Sequence, residues 1–256
     1  MSSEVDISLD ISRKDRRFLD FARHDRRENT TQCLFSPLDV YHDRMPHSAA
    51  MNMAIDEALL EYATIPLIRF YRWESSALSF GYFGRFTDIA RYQCERDLVR
   101  RWTGGGIVFH GEDLTYSVVI PASDTAFAES SISIYETIHQ ALCHALSETG
   151  WRPVIATVAT LTGISDAGYS CFANPVRADV MIDGRKIAGA AQRRTRRGLL
   201  QQGSIQGIDL QSDLAERFAR ELSTDRREQK VDEKILNRAR ELAEQKYGTE
   251  SWLRKR

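Results

Sequence analysis

Residues 170–194 read SCFANPVRADVMIDGRKIAGAAQRR, and this stretch decides how the rest of the chain is interpreted. ADVMI (178–182) and RKIAGAAQRR (185–194) flank Asp183-Gly184. Asp-Gly supplies the positive φ angles of a type I′ turn, so the pattern predicts a β-hairpin. Lys186 opens the returning strand, and Cys171 lies fifteen positions before it. A thiol and an amine brought together by a hairpin can carry acyl-transfer chemistry, because the thiolate is the nucleophile and a nearby cation favours it. Each residue has a plainer reading. A lone cysteine is usually a small buried hydrophobe, and a lysine just past a turn is usually solvated. Gly189, mid-strand, leaves space where a side chain would crowd a ligand.

Outward from the hairpin, helices and antiparallel pairs are interleaved without a βαβ rhythm, which predicts an α+β fold with a mostly antiparallel or mixed sheet. Met51, Ala54, Ile55, Ala58, Leu59 and Tyr62 follow helical spacing and place a helix over 49–63. LIRFYRW (67–73) and SALSFGYF (76–83) read as strands, and Thr87–Leu98 as a helix. IVFH (107–110) and LTYSVVIP (114–121) are expected to pair with each other across Gly-Glu-Asp. Ile132–Leu146 reads as a helix, Trp151–Leu161 as a strand leading into a loop, and LLQQGSIQ (199–206) as a strand. Two terminal helices are expected, one on Leu210, Leu214, Phe218 and Leu222, the other on Ile235–Tyr247.

The 256 residues carry a net charge of −1, which argues against a dedicated nucleic-acid binder. No stretch approaches ~20 apolar residues, so no membrane span is expected. Cys33, Cys94, Cys143 and Cys171 form no CxxC pair, which disfavours a zinc site or disulfide scaffold and points to a reducing compartment, the cytoplasm. Residues 1–36 read as a charged extension, with seven basic and seven acidic residues up to position 30 and at most one short helix around Ile11–Phe21. Residues 37–256 read as the folded domain.

RRWTGGG (100–106) is the second chemical signal. Consecutive glycines let backbone N–H groups approach a ligand, although such a run is more often a plain turn. No Gly-Lys-Ser/Thr follows, so it is not a Walker loop. His110 lies on the next strand and by itself reads as structural. RRTRR (193–197) reads either as a solvated bend or as a dock for an acidic partner.

Together these segments resemble the lipoate-protein ligase and octanoyltransferase family, related to biotin protein ligases. MNMAIDEAL (51–59), RFYRWESSALSFGYF (69–83), RRWTGGGIVFHGEDLTYSVVIP (100–121), DVMIDGRKIAGAAQRR (179–194) and QQGSI (201–205) occur in family order. The resemblance implies a biotin/lipoate protein ligase catalytic-domain fold: a central mixed, mostly antiparallel sheet with helices on one side and an acyl chain held in a tunnel. Among the cysteine transferases, a cysteine before the lysine in a CF..P context is similar to the LipM type, and Cys171–Pro175 matches. The type with its cysteine after an Arg-Gly step is disfavoured, because Leu199 follows Arg197-Gly198. Fifty-one residues follow Ile205 and read as helices, in keeping with a transferase.

The resemblance implies transfer of octanoyl from acyl carrier protein, through a Cys171 thioester, to a lysine of a lipoyl domain such as glycine cleavage H protein or a 2-oxoacid dehydrogenase E2. Cys171 and Lys186 are the implied catalytic pair. Arg101, Thr103, Gly104, Gly105, Gly106, His110 and Gly189 are the implied substrate-binding residues, and Arg193, Arg194, Arg196 and Arg197 the implied carrier dock. No cofactor or metal is expected. An ATP-dependent lipoate-protein ligase, which would use ATP and Mg, and a non-catalytic carrier-binding protein are the alternatives.

Overall fold

The structure is a computed structural model that describes residues 33–157 and 175–255. Cys171, the expected helix near Ile11–Phe21 and the end of the expected 151–161 segment lie outside the described residues. The strands are β1 (Leu38–His42), β2 (Leu67–Tyr71), β3 (Ala77–Phe80), β4 (Asp97–Arg100), β5 (Ile107–His110), β6 (Leu114–Pro121), β7 (Val154–Ile155), β8 (Val180–Ile182), β9 (Arg185–Arg194), β10 (Gly198–Ile205) and β11 (Arg226–Gln229). The helices are α1 (Ala49–Tyr62), α2 (Ser131–Glu148), α3 (Leu214–Leu222), α4 (Glu233–Leu242) and α5 (Glu250–Leu253).

Eight strands form one mixed sheet in the order β11-β1-β2-β6-β10-β9-β8-β7. β1 runs parallel to both β11 and β2, and every later neighbour is antiparallel. A second sheet, β4-β3-β5, holds the rest. The α+β architecture expected from the sequence is the one observed.

β6 shows why the large sheet is covered twice. All eight of its residues are buried. Tyr116, Val118 and Ile120 pack with Ile138 and Leu142 of α2 and Phe218 of α3, whereas Val119 packs with Ile55 and Leu59 of α1 and Ala239 of α4. Alternate residues of a strand point to opposite faces, so each face has its own helix pair. The helices therefore flank both sides of the sheet, a correction to the one-sided arrangement that the resemblance implied. Helix starts follow the usual side-chain rule. Ser48 accepts from the Met51 amide, Ser130 from that of Ser133 and Asp232 from that of Ile235.

Asp183 at φ 49° and Gly184 at φ 74° form the tight turn that the Asp-Gly pair predicts, and β8 pairs with β9 across it. Two further expectations fail. Thr87–Leu98 is not a helix; it holds two short 3₁₀ turns, Phe86–Asp88 and Ala90–Tyr92, and then β4. The Asp97 carboxylate accepts the Ala49 amide at the start of α1 (2.7 Å), and 97–100 extend alongside β3. β5 and β6 do not pair. β5 joins β3, and β6 lies between β2 and β10, because the Asp113 side chain ties up the intervening bend by accepting the Gly111 amide.

Gly203 of β10 faces Tyr116, and a Cβ there would meet ring atoms at 2.3–2.5 Å. Tyr116 is itself fully buried and held by His139. Gly203→Ala should therefore destabilise the fold by roughly 1–3 kcal/mol, as overpacking does. An unchanged urea midpoint at pH 7 would show that the Tyr116 ring can move aside.

Candidate functional site

One cavity lies where β9 and β10 of the large sheet face β3 and β5 of the small one. Its volume, with the solvent at its open mouth included, is about 450 Å³, and its lining is mostly apolar, with Met53, Tyr71, Trp73, Val108, Ala190 and Ala191 among the walls. Of the residues singled out from the sequence, Arg101, Gly105, His110, Lys186 and Gly189 line it. Thr103, Gly104 and Gly106 are outside the described lining but bond to residues within it, Thr103 to Gln202 and the two glycines to Arg101.

Lys186 is almost completely enclosed, and its Nζ lies 2.8 Å from Oδ2 of Asp179, which is fully buried. Asp179 is fixed from two further sides. Tyr135 Oη donates to its Oδ1 at 2.7 Å, and the Val176 amide donates to Oδ2 at 2.6 Å. Tyr135 Oη also accepts the Ala190 amide at 3.0 Å, which locks the carboxylate to β9. The residue before Asp179, Ala178, has φ +69°, a region that non-glycine residues rarely occupy. His139 holds it there: Nδ1 lies 2.6 Å from the Ala178 carbonyl, and Nε2 lies 3.0 Å from Tyr116 Oη. The carbonyl can only accept, so Nδ1 carries the proton and Nε2 accepts from the tyrosine. Gly189 is explained by the same cluster. A Cβ at that position would lie 2.4 Å from Lys186 Cε and 2.6 Å from Nζ. The missing side chain makes room for the lysine, not for a ligand directly.

The glycine-rich segment is held by an arginine. Arg101 donates to the carbonyls of Gly104 (3.0 Å) and Gly106 (2.8 Å) and to Ser79 Oγ (2.7 Å). Two of its carbonyls thus point at protein rather than solvent. Gly105, at φ +85°, faces the cavity. Thr103 Oγ1 donates to Gln202 Oε1 at 2.8 Å, and Gln202 Nε2 donates to Asp56 at 2.7 Å. Asp56 of α1 also accepts from Arg69 (2.9 Å), Tyr71 (3.1 Å) and Ser117 (2.8 Å).

His110 stacks on Trp73 with ring centroids 4.0 Å apart. Its Nδ1 lies 2.8 Å from Asp113 Oδ2 and its Nε2 2.7 Å from Ser79 Oγ. Burial lowers its pKa. The imidazole is therefore neutral, donates to Asp113 and accepts from Ser79, which in turn accepts from Arg101. Asp113 also accepts from Thr115 (2.7 Å) and Ser204 (2.6 Å). Burial opposes its charge, but these hydrogen bonds prevail and bring its pKa down to about 2. His110 shapes the pocket, and among the described residues its ring bonds to Asp113 and Ser79.

The four arginines of 193–197 separate. Arg194 donates to the Phe127 and Glu129 carbonyls, both at 2.6 Å. Arg197 lies 3.5 Å from Glu61. Arg196 is exposed, and Arg193 lies half-buried against Tyr82 and Trp102. Sequence reasoning did not single out Asp179, Tyr135, Trp73, Ser79, Asp113 or Gln202. Asp179 stands inside the quoted stretch, but no spacing rule links it to Lys186. Among the described residues the group able to converge on a cation is His42, Glu216 and Glu228, outside the cavity.

The family profile of the lipoyl protein ligase A/B catalytic domain matches residues 48–248. The chain is 34% identical over 215 residues to the octanoyltransferase LipM of Oceanobacillus iheyensis, covering 79% of this chain and 77% of that protein. It is 35% identical over 201 residues to the octanoyltransferase LipM of Staphylococcus epidermidis, covering 73% and 72%. A crystal structure of lipoate-protein ligase A bound with ATP superposes with a TM-score of 0.68 at 25% identity, covering 85% of this chain and 98% of that one. The fold also matches a bipartite lipoate protein ligase from Thermoplasma acidophilum at a TM-score of 0.66 and 24% identity, covering 84% and 95%.

Burial brings the His139 pKa down to about 4, whereas an unfolded histidine titrates near 6.5. The unfolded state then binds the extra proton first as pH falls. The stability that neutral His139 contributes is whole above about 6.5 and is lost between about 6.5 and 4, a difference of roughly 3 kcal/mol. His110, lowered in the same direction, adds to the slope. Urea midpoints from pH 7.5 to 4.5 should fall steeply in the wild type and less in His139→Gln, which keeps one donor and one acceptor. Equal slopes in the two proteins would remove His139 as the source.

Proposed function

The chain belongs to the lipoyl protein ligase A/B catalytic-domain family, and from that premise we propose that it is an octanoyltransferase of protein lipoylation. The observation that carries the reading is the likeness to proteins named octanoyltransferase LipM over about three quarters of the chain. A pocket with mostly apolar walls and a buried lysine in its lining is the geometry that such a transfer needs. The folded domain is taken as 37–256, and residues 1–36 as an extension. Among the described residues no helix is long and apolar enough to cross a membrane. We place the reaction in the cytoplasm, in keeping with Cys33, Cys94 and Cys143 as free thiols.

The proposed reaction has two steps. The Cys171 thiol gives up its proton and attacks the carbonyl of octanoyl-acyl carrier protein; a new C–S bond forms, the old one breaks, and the carrier sulfur leaves and takes up the proton that Cys171 gave up. The ε-amine of a lysine on a lipoyl domain then attacks the enzyme thioester. The C–N bond forms, the bond to Cys171 breaks, and the sulfur takes up the proton that the amine gives up. Thioester to amide is downhill, so the proposal needs no ATP and no metal. Lys186 supplies positive charge where the carbonyl oxygen becomes negative. The octanoyl chain lies against Trp73, Met53 and Val108, and Arg101, Thr103 and Gly104–Gly106 hold that wall. The two carriers approach the rim formed by Arg193 and Arg196. The likeness to an ATP-bound ligase keeps the adenylate route as the second reading.

Incubation with octanoyl-acyl carrier protein, without ATP, should add one octanoyl group at Cys171 by intact-protein mass spectrometry. A lipoyl domain should then discharge it. Cys171→Ala should show no adduct, and Lys186→Ala should lose on the order of a hundredfold in kcat/KM. No adduct in the wild type, with lipoyl-domain modification only when ATP and a free acid are present, would replace the transferase by a ligase.

A further inference from the structure

Arg193 lies on β9 two residues past Ala191, a residue of the cavity wall, and pairs with Leu200 as Ala191 pairs with Gln202. Residues two apart on a strand share a face, so Arg193 continues that wall outward by roughly 7 Å. Its guanidinium is 5.0 Å from the Tyr82 ring centroid and 5.1 Å from that of Trp102. Two aromatic faces thus fix a planar cation at the rim. Among the described residues, no carboxylate or carbonyl accepts a hydrogen bond from Arg193.

Two lysines from the C-terminal segment share these rings. Lys255 Nζ donates to Tyr82 Oη at 2.8 Å, and Lys246 Nζ lies 4.5 Å from the Trp102 centroid. Of the carboxylates here, Glu57 is taken by Lys246 at 2.5 Å and Glu61 by Arg238 at 2.7 Å. The groups here respond to a surplus of positive charge. The hydrogen bond from Lys255 lowers the Tyr82 pKa, and the charges of Lys255, Arg193 and Lys246 act the same way. Burial lowers that of Lys246; the Glu57 carboxylate opposes this, and Arg193 and Lys255 act in the same direction as burial.

An acyl chain that fills the cavity must lead out past some part of its rim. Acyl thioesters of carrier proteins hang on a phosphopantetheine arm, whose charge is concentrated in one phosphate. A planar guanidinium with its donors unused matches the geometry of phosphate oxygens, and neighbouring ammonium groups add field without competing for that geometry. We propose that Arg193, flanked by Lys255 and Lys246, forms a subsite for the phosphate of the thioester donor's phosphopantetheine arm. The inference rests on the acyl-transfer reading of the cavity. It gives the C-terminal segment 246–255, to which the sequence assigned no function, a part in donor recognition.

The test uses two octanoyl amides that cannot transfer their acyl group, one built on phosphopantetheine and one on pantetheine. Calorimetry at low salt should give about tenfold tighter binding for the phosphorylated compound. The preference should shrink with added salt. In Arg193→Ala, and in Arg193→Gln as a second neutral variant, the two affinities should converge, while Arg193→Lys keeps part of the difference. Thermal midpoints report that the variants are folded. Equal affinities in the wild type overturn the subsite. So does a preference that survives in folded Arg193→Ala, which would put the phosphate elsewhere. An Arg193→Ala defect seen only with intact carrier protein, and not with the amides, assigns the arginine to acidic side chains on the carrier and also overturns it. A wild type that prefers the phosphorylated amide, yet passes no octanoyl from a thioester to a lipoyl domain, leaves the subsite standing and sinks the transfer reading instead.

Discussion

A single buried carboxylate, Asp56, holds the helix and the sheet in the register on which the cavity depends. It accepts from Arg69 on β2, Ser117 on β6 and Gln202 on β10, three strands that lie side by side, and from Tyr71 as well. Arg69 is fully buried, and Asp43 and Asn52 take up its remaining donors. Removing one member of such a cluster leaves an uncompensated buried charge, which typically costs 3–5 kcal/mol. The effect would not stop in the core. Gln202 passes the constraint to Thr103, and so to the glycine segment that walls the cavity. α1, which carries Asp56 and Met53, is thus both a core element and the floor of the site.

The polar groups around the cavity are saturated with one another, and the apolar surface is what faces inward. Arg101, Ser79, His110, Asp113, Thr115 and Ser204 form one continuous chain, and Trp73 donates its indole N–H to Thr115 Oγ1 at 2.8 Å. Among the described residues, Gln201 Nε2 is the buried side-chain polar atom left without a partner. A network of this kind holds its side chains in one arrangement. The cavity is built to accept hydrocarbon.

Local chemistry was legible in the sequence; long-range pairing was not. The Asp183-Gly184 hairpin and the helices over 49–63 and 132–146 depend on residues within a few positions of each other. The pairing of β5 with β3 and not with β6 depends on a partner thirty residues away, and 107–110 and 114–121 look alike whichever way they pair. Thr87–Leu98 carries a helical spacing, yet the Asp97 carboxylate is claimed by the first turn of α1, and that contact outweighs propensity. The site was half readable for the same reason. Lys186 and the glycine segment announce themselves, whereas Asp179, Tyr135 and His139 act through contacts across the hairpin and from α2. Gly189 shows the limit most clearly. Its smallness was evident, but only the position of the Lys186 side chain reveals what the space is for.

The Lys186–Asp179 pair narrows the chemistry open to that lysine. The Asp179 carboxylate lies 2.8 Å from the Lys186 amine, which donates to it. In the mechanism proposed above, Lys186 serves to stabilise negative charge, on a thiolate or on the oxygen of a tetrahedral intermediate, and not as the base for an incoming amine. In a transfer that ends with a departing thiolate, no separate base is required, because the sulfur that leaves can take the proton that the amine loses. The buried carboxylate would then have one task, to keep a positive charge in a place where an apolar cavity would otherwise expel it. Tyr135, the Val176 amide and the strained Ala178 held by His139 secure that carboxylate from behind. Much of the effort of this end of the fold goes into one fixed cation beside a hydrocarbon pocket, which is what acyl transfer by electrostatic stabilisation needs.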